Sequence, residues 1–332
     1  EDYPVVVRFR DIAFDTVLGT WRGRYLEDSD AEAAGAVAEP LRLSTGADGS
    51  LMLTDRYGLR ARSPDGTVLQ ELPLESYPNR KDRLDTGVRD GRVTDALMAT
   101  FMVGERVGGR ILGVGRMDTY RRRTFVAFYA DVEMRRRCTR GVGCQTNPYL
   151  KVIWDTVLPQ DTEGTLYGGD NMGVVAVAHE PSRNQLVVLN RYQTAPYAWG
   201  RGIEALAYQL LIYPADGWGR KTIVQLPGED RESIWADVDA SASGRIYVLD
   251  TLNDRVQVIG ADGSDLGMVP TPKDAWRVSG GPRDEIYVLT VYGHVVRLAA
   301  DGTVLSRFVG RPHEGVPPTS LVDFTVDRDG WV

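Results

Sequence analysis

Short apolar stretches separated by Gly, Asp and Pro turns recur along the chain, and near its end they recur as a repeat. Residues 233–269 and 274–309 each contain an apolar stretch, a turn, a second strand, a short turn, a third strand, an Asp-Gly turn and a last strand. The second strand contains Ile-Tyr-Val-Leu in both copies, at 246–249 and 286–289. A period of about 40 residues with four short strands is typical of a β-propeller blade. The pattern therefore predicts an all-β chain.

The same four-strand pattern can be followed backwards and predicts five complete blades. These lie at about 39–75, 110–159, 173–227, 233–270 and 274–310. The ends of the chain supply two half-blades, 319–332 and 4–22, with two strands each. Pairing them completes a sixth blade and leaves no strand edge of the ring unpaired. We therefore predict a single domain over 1–332, a six-bladed β-propeller of four-stranded blades. Its ring is closed by pairing the N-terminal strands with the C-terminal half-blade.

One blade carries a motif that resembles the NHL-repeat family of six-bladed propellers. The matching residues are GRIYVLD at 244–250 and NDRVQV at 253–258. In the family pattern an Asp that ends the second strand and an Arg before the third tie neighbouring turns together, and Asp250 and Arg255 fit those roles here. The match is loose at Asp55 and Arg60 and absent at Asn190 and Thr290. The resemblance implies the fold but no single function, since such propellers include ligand sensors, protein-interaction modules, lyases and hydrolases.

Two predicted blades carry long insertions between their second and third strands, at 131–148 and 191–207. Insertions clustered on one side of a repeat architecture usually mark its contact side. Aromatic and Arg side chains, which carry binding hot spots, occupy these loops: Tyr149, Tyr192, Tyr197, Trp199, Arg201, Arg135, Arg136 and Arg137. We therefore predict partner binding through one loop-elaborated face. The alternatives are aromatic side chains that only pin their own loop and an arginine run that forms a solvated turn.

The chain has two cysteines, Cys138 and Cys144, in the segment CTRGVGC. The intervening residues include two Gly, so a tight loop can bring the sulfurs within bonding distance. We expect a disulfide, because free thiols in a polar insertion would be exposed; two unrelated thiols are the alternative. A disulfide implies an extracytoplasmic location, whether periplasmic, cell-surface or secreted. The first residue is Glu1, so we expect a processed or partial chain that has lost any export signal or lipid anchor.

A competing hypothesis is a Ca²⁺-dependent, lactonase-like hydrolase with a metal on the propeller axis. Side chains near the starts of the first strands would hold that metal, and carboxylates and amides suit Ca²⁺. The candidates are Glu39, Asn171, Asp237 and Asp323. The three histidines, His179, His294 and His313, have no metal-ligand spacing and suggest no catalytic triad. The first hypothesis is therefore a non-catalytic protein without a cofactor.

Composition narrows the class of partner. The net charge of −7 argues against nucleic acid as a general partner. The sequence has no apolar run long enough to span a membrane. Broad loops without a polar metal cluster favour a protein partner over a small molecule. The sequence thus predicts a protein-binding module or an accessory subunit of a larger assembly.

Overall fold

The structure is a computed structural model. It describes residues 2–10, 13–22, 42–45, 50–55, 58–63, 68–75, 88–89, 92–94, 106–107, 110–119, 122–131, 150–157, 173–193, 206–214, 221–229, 232–309, 323–327, 329–330 and 332. These residues form strands, turns and extended segments. The chain folds into two compact units, one of Glu1–Ile153 with Gly310–Val332 and the other of Trp154–Val309.

The first unit begins with an antiparallel hairpin, as the pattern at 4–22 predicts. Strand β1 (Asp2–Arg10) pairs with β2 (Ala13–Arg22), from Asp2 opposite Arg22 to Arg10 opposite Ala13.

A four-stranded antiparallel sheet follows in chain order. Its strands are β3 (Arg42–Thr45), β4 (Leu51–Asp55), β5 (Gly58–Arg62) and β6 (Val68–Glu75). Two further strands that the sequence pattern does not predict extend this sheet, β7 (Val88–Arg89) and β8 (Arg92–Thr94). They pair with each other, and β8 lies parallel to β6. The added hairpin satisfies backbone groups at an edge that would otherwise be open.

The next sheet departs from the predicted strand order. It contains β9 (Arg106–Val107), β10 (Arg110–Thr119), β11 (Arg122–Asp131) and β12 (Leu150–Val157), side by side in that order. The last strand of the predicted 110–159 blade, expected at 157–158, does not begin at Val157, because Val157 ends β12. Residues 154–156 lack the Gly that a tight turn favours. The sheet has four strands because β9 is added beside β10. Counted along the chain from β9, the insertion at 131–148 lies between the third strand, β11, and the fourth, β12. The insertion at 191–207 lies between a second and a third strand, so the two insertions are not equivalent.

The second unit contains three successive four-stranded antiparallel sheets in its described residues, each in chain order. The first has β13 (Gly173–Glu180), β14 (Gln185–Gln193), β15 (Leu206–Pro214) and β16 (Thr222–Glu229). The second has β17 (Trp235–Ala240), β18 (Arg245–Asp250), β19 (Arg255–Gly260) and β20 (Asp265–Pro270). The third has β21 (Ala275–Gly280), β22 (Ile286–Thr290), β23 (His294–Leu298) and β24 (Val304–Val309).

The core of the second unit lies between successive sheets. Along β18, Ile246 and Val248 pack in the cluster shared with the preceding sheet, whereas Tyr247 and Leu249 pack in the cluster shared with the following sheet. Side chains of a strand alternate between its two faces, so residues 246–249 of β18 are all apolar because both faces are buried there. The first strands β13, β17 and β21 pack against one another in turn. Stacked four-stranded sheets with adjacent first strands are the arrangement of β-propeller blades.

Candidate functional site

Each first strand of the second unit carries a β-bulge at the same place. The irregularities fall between Val174 and Ala176, between Trp235 and Asp237, and between Ala275 and Arg277. A bulge inserts an extra residue and re-aims the side chain that follows it.

The side chain re-aimed in β17 is that of Asp237, one of the predicted axial metal ligands. It is 6% exposed, and its Oδ2 accepts a hydrogen bond from the backbone N–H of Val278 on the next first strand, at 3.0 Å. The carboxylate therefore ties one blade to the next.

Asp323, a second predicted metal ligand, makes the same kind of contact within the first unit. Its Oδ2 accepts a hydrogen bond from the backbone N–H of Leu43 on β3 at 2.9 Å. Two residues further along both segments, Thr45 Oγ1 lies 3.3 Å from Thr325 Oγ1 and donates to the carbonyl of Val326 at 2.9 Å.

The remaining predicted ligands, Glu39 and Asn171, lie outside the described residues. Within the described part of the chain, no group of three His, Cys, Asp or Glu side chains could hold a metal ion. The two acids that can be followed, Asp237 and Asp323, hold backbone amides.

Asp239 lies two residues beyond Asp237 and belongs to the same tie. Its Oδ2 accepts hydrogen bonds from Ser279 Oγ at 2.7 Å and from Gly280 N at 3.0 Å. Burial raises the pKa of Asp239 to about 6, although these hydrogen bonds oppose the shift. Its carboxylate is therefore held in an environment that penalises its charge.

Asp250 and Arg255 form the tie that the family resemblance implies. Arg255 Nε donates to Asp250 Oδ2 at 3.0 Å, and the Asp250 side chain is fully buried. The backbone N–H of Ile234, at the entry of the first strand, donates to Asp250 Oδ1 at 3.1 Å, and that of Leu252 does so at 3.3 Å. The pair thus joins the turn after β18 to the start of β17.

The first blade does not repeat this register. Arg255 stands opposite Asp250 across the β18–β19 pair, but Arg60 stands opposite Leu53, and Asp55 stands opposite Gly58. In the last complete blade, Thr290 stands where the family pattern has Asp. It is buried, and its Oγ1 accepts a hydrogen bond from His294 N at 3.3 Å.

The insertion at 191–207 falls between second and third strands, as predicted. Tyr192 lies near the end of β14, and its backbone pairs with that of Ala207 on β15. At the root of the loop, the Arg191 guanidinium lies 5.7 Å from the centre of the buried Tyr208 ring. The other candidate contact and disulfide residues lie outside the described residues: Tyr149, Tyr197, Trp199, Arg201, Arg135, Arg136, Arg137, Cys138 and Cys144.

Sequence reasoning missed a group of exposed apolar side chains at the same end of the next two blades. We call Ile234, Leu252, Val291 and Tyr292 the turn-end patch; their exposed fractions are 41%, 48%, 54% and 58%. The signal in the sequence is an apolar residue in a hairpin turn, where polar residues and Gly are usual. These turns are short, so loop length gives no indication of the patch.

His179 is hydrogen-bonded, since its Nε2 lies 2.8 Å from Asn184 Oδ1. Burial lowers its pKa, and the bond to Asn184 and the charge of Glu180 oppose that shift.

The described part of the chain contains no helix that could cross a membrane.

No family model and no curated protein matches the sequence. Among solved structures, a streptogramin B lyase aligns with a TM-score of 0.39 and 10% identity, over 82% of this chain and 69% of that one. A gluconolactonase from Xanthomonas campestris aligns with a TM-score of 0.39 and 11% identity, over 75% and 68%. Hydrazine synthase from Kuenenia stuttgartiensis aligns with a TM-score of 0.43 and 12% identity, over 79% and 84%.

These structural neighbours are propeller-type proteins. The sheets of this chain define the same class on their own, because they are four-stranded, antiparallel and stacked through their first strands. At such identities the likeness concerns the fold and not the function.

Proposed function

We propose that this chain is a non-catalytic, extracytoplasmic six-bladed β-propeller that binds a partner protein, or serves as an accessory subunit of a larger assembly. Binding uses the blade end where second strands turn into third strands. The observation that carries the proposal is the role of the axial acids: Asp237 and Asp323 each spend a carboxylate oxygen on the backbone of a neighbouring first strand. These hydrogen bonds give both acids a structural role that needs no metal.

Closure of the ring is supported by the same contacts. In the second unit, Asp237 and Asp239 bind the amides of Val278 and Gly280. In the first unit, Asp323 binds the amide of Leu43, and Thr325 contacts Thr45, with the same two-residue spacing. These contacts of residues 323–326 with β3 support a sixth blade, although β1 and β2 form a two-stranded sheet of their own among the described strands.

The proposed contact residues at this end are those of the 191–207 insertion: Tyr192, Tyr197, Trp199 and Arg201. Tyr149, Arg135 and Arg136, which belong to the first unit, are proposed as contact residues separately. The extracytoplasmic location is proposed from a Cys138–Cys144 disulfide. The net charge of −7 supports a protein partner over nucleic acid.

The test is purification of the native chain with mass spectrometry of every co-migrating protein. We expect a stoichiometric partner with the wild type and with the control variant Leu305→Ser, whose side chain is exposed on β24. The double variant Tyr197→Ala/Trp199→Ala should lose that partner.

The alternative, a Ca²⁺-dependent hydrolase using Glu39, Asn171, Asp237 and Asp323, makes an opposite prediction. A monomer that hydrolyses esters or lactones only with Ca²⁺, and loses this activity with Asp237→Asn, would overturn the proposal. Alkylation of the unreduced protein at Cys138 or Cys144 would remove the argument for location.

A further inference from the structure

We infer that the turn-end patch is the docking point for a partner segment that combines apolar side chains with Lys or Arg. This inference rests on the proposed function and names the chemistry of its partner. The patch comprises Ile234, Leu252, Val291 and Tyr292, as defined above, and all four side chains lie in the second unit.

Backbone hydrogen bonds hold the turns that carry the patch in both blades. Within the earlier blade, the turn after β18 is bonded to the start of β17, because Thr251 N donates to the carbonyl of Ile234 at 2.9 Å. The link to the later blade is bonded to the same turn, because Thr271 N donates to the carbonyl of Asp254 at 2.8 Å and Asp274 N donates to Asp254 Oδ1 at 3.3 Å. In the later blade, Val291 N donates to the carbonyl of Asp274 at 2.9 Å. The apolar side chains are thus displayed on turns whose backbone is held in place.

The core does not need these side chains. Leu249, three residues before Leu252, is fully buried between the sheets, whereas nearly half of Leu252 is exposed. Tyr292 likewise lies beyond the buried strand β22, in a turn of three residues. Apolar side chains left at adjacent turn tips expose surface that a partner can bury, and Tyr is among the residue types that anchor interfaces.

The charges around the patch are predominantly negative among the residues that the structure describes. Of these, Glu232 and Asp274 are exposed and Asp254 is half-buried, and Lys273 carries the one exposed ammonium. The nearby Arg255 guanidinium is paired with the Asp250 carboxylate. Complementary charge steers association and fixes the register of a complex, so an apolar segment flanked by Lys or Arg fits this surface and an acidic segment does not.

The position of the patch agrees with the proposed binding end. Residues 251–254 and 291–293 are the second-to-third-strand turns of their blades, the place that the 191–207 insertion occupies in the preceding blade. One partner can therefore contact the long loop and the turns of the next two blades.

The experiment titrates fluorescently labelled peptides of about 12 residues, long enough to span several strand spacings. One alternates Leu with Lys, a second alternates Leu with Glu, and a third alternates Ser with Lys. We expect the Leu/Lys peptide to bind the wild type at least about tenfold more tightly than the other two. Its affinity should fall as salt is raised, because salt screens the charges.

Two double variants then locate the binding. Leu252→Ser/Tyr292→Ser should weaken the Leu/Lys peptide by about tenfold or more. The matched control, Leu266→Ser/Val304→Ser, removes equally exposed apolar side chains from the outer strands β20 and β24 and should bind like the wild type. Circular dichroism of both variants checks that the sheets persist.

The inference is wrong if no peptide binds, if Leu/Glu binds as well as Leu/Lys, or if both double variants bind alike. It is also wrong if amide exchange in the free protein shows 251–254 and 291–293 covered by the chain itself or by a second copy. A partner that co-purifies through Tyr197 and Trp199 without peptide binding would leave the proposed function standing and remove only this inference. If the chain binds the peptide but is a Ca²⁺-dependent hydrolase, the proposed function is wrong and the docking point at the turn-end patch still stands.

Discussion

Buried carboxylates act as structural ties at the scale of single residues. Burial alone would raise the pKa of Asp250, but hydrogen bonds from Asn253, the backbone of Ile234, Arg255 and Ser233 outweigh it, so the pKa is lowered from 3.8. Asn253 Nδ2 donates at 2.7 Å and Arg255 Nε at 3.0 Å. The ionised form of Asp250 therefore stabilises the fold.

Replacing Asp250 by Ala should lower the free energy of unfolding by about 3–5 kcal/mol, because the Arg255 guanidinium loses its partner. Denaturant titration of the full chain measures the change. The control Asp262→Ala, in an exposed turn, should leave the midpoint close to that of the wild type. Since the folded-state pKa is below 3.8, the contribution of Asp250 is present above that pH and is lost as the pH falls through the lowered pKa. Equal midpoints for the two variants would contradict the tie.

Asp239 has the opposite pH dependence. The pKa of Asp239 is about 6 in the folded chain against an ordinary value of 3.8, so the folded state keeps its proton to a higher pH than the unfolded state does. Stability should then fall as the pH rises from about 4 to about 6. Tenfold in an acid constant corresponds to about 1.4 kcal/mol, so this loss approaches 3 kcal/mol. In Asp239→Asn the fall should disappear, because Asn cannot ionise while its oxygen still accepts from Ser279 and Gly280. Denaturation midpoints across this pH range test it; an unchanged slope would refute the assignment.

Close approach of first strands is the controlling feature at the scale of elements. A Cβ added at Gly280 on β21 would lie 2.7 Å from Ser241 N and 2.8 Å from the carbonyl carbon of Ala240. These are backbone atoms of the preceding blade and cannot rotate away. Only Gly fits where two backbones approach so closely.

We predict that Gly280→Ala destabilises the chain by about 1–3 kcal/mol, since the first strands must separate. The matched control is Gly260→Ala, whose Cβ would meet the side-chain tips of Ser264 at 2.6 Å and Asp262 at 2.8 Å. Those exposed tips can move, so the control should cost clearly less. Thermal unfolding of both variants decides between backbone and side-chain crowding; equal losses would show that the strand contact is not tight.

At the scale of the whole molecule, the question is how the chain ends meet. Thr45 and Thr325 are 280 positions apart and in side-chain contact. The contact repeats, within the first unit, the relation between adjacent first strands seen in the second unit. Under the proposed ring closure, two strand edges that would otherwise be exposed are paired.

A Thr45→Cys/Thr325→Cys variant should therefore form a disulfide under mild oxidation. Because the bond closes most of the chain into one loop, it should raise stability by up to about 5 kcal/mol. Peptide mapping identifies the cross-link, and the thermal midpoint with and without reductant measures the gain. The two single-cysteine variants control for the substitutions and for exchange with Cys138 or Cys144. Thiols that stay free after oxidation would contradict the closure.

Local pattern determines the strands of this protein. The apolar runs at 246–249 and 286–289 predict buried second strands, and both are buried on two faces. The Asp250–Arg255 pair was implied by the family resemblance, and its members stand opposite each other across one hairpin. Spacing alone does not reveal the pair, since Asp55 and Arg60 are also five positions apart but stand opposite Gly58 and Leu53.

Only the tertiary structure decides what non-adjacent segments do to one another. Asp237 has the chemistry of a metal ligand, but its Oδ2 accepts a hydrogen bond from the backbone N–H of Val278, 41 residues away. The pairing of β8 with β6 and the addition of β9 depend on which strand edges remain open. Leu249 and Leu252 are the same residue type three positions apart, yet one is core and the other surface. Whether a side chain is buried depends on the neighbouring blade, and whether a strand edge is paired depends on which segment lies beside it. The local pattern of the chain therefore predicts neither.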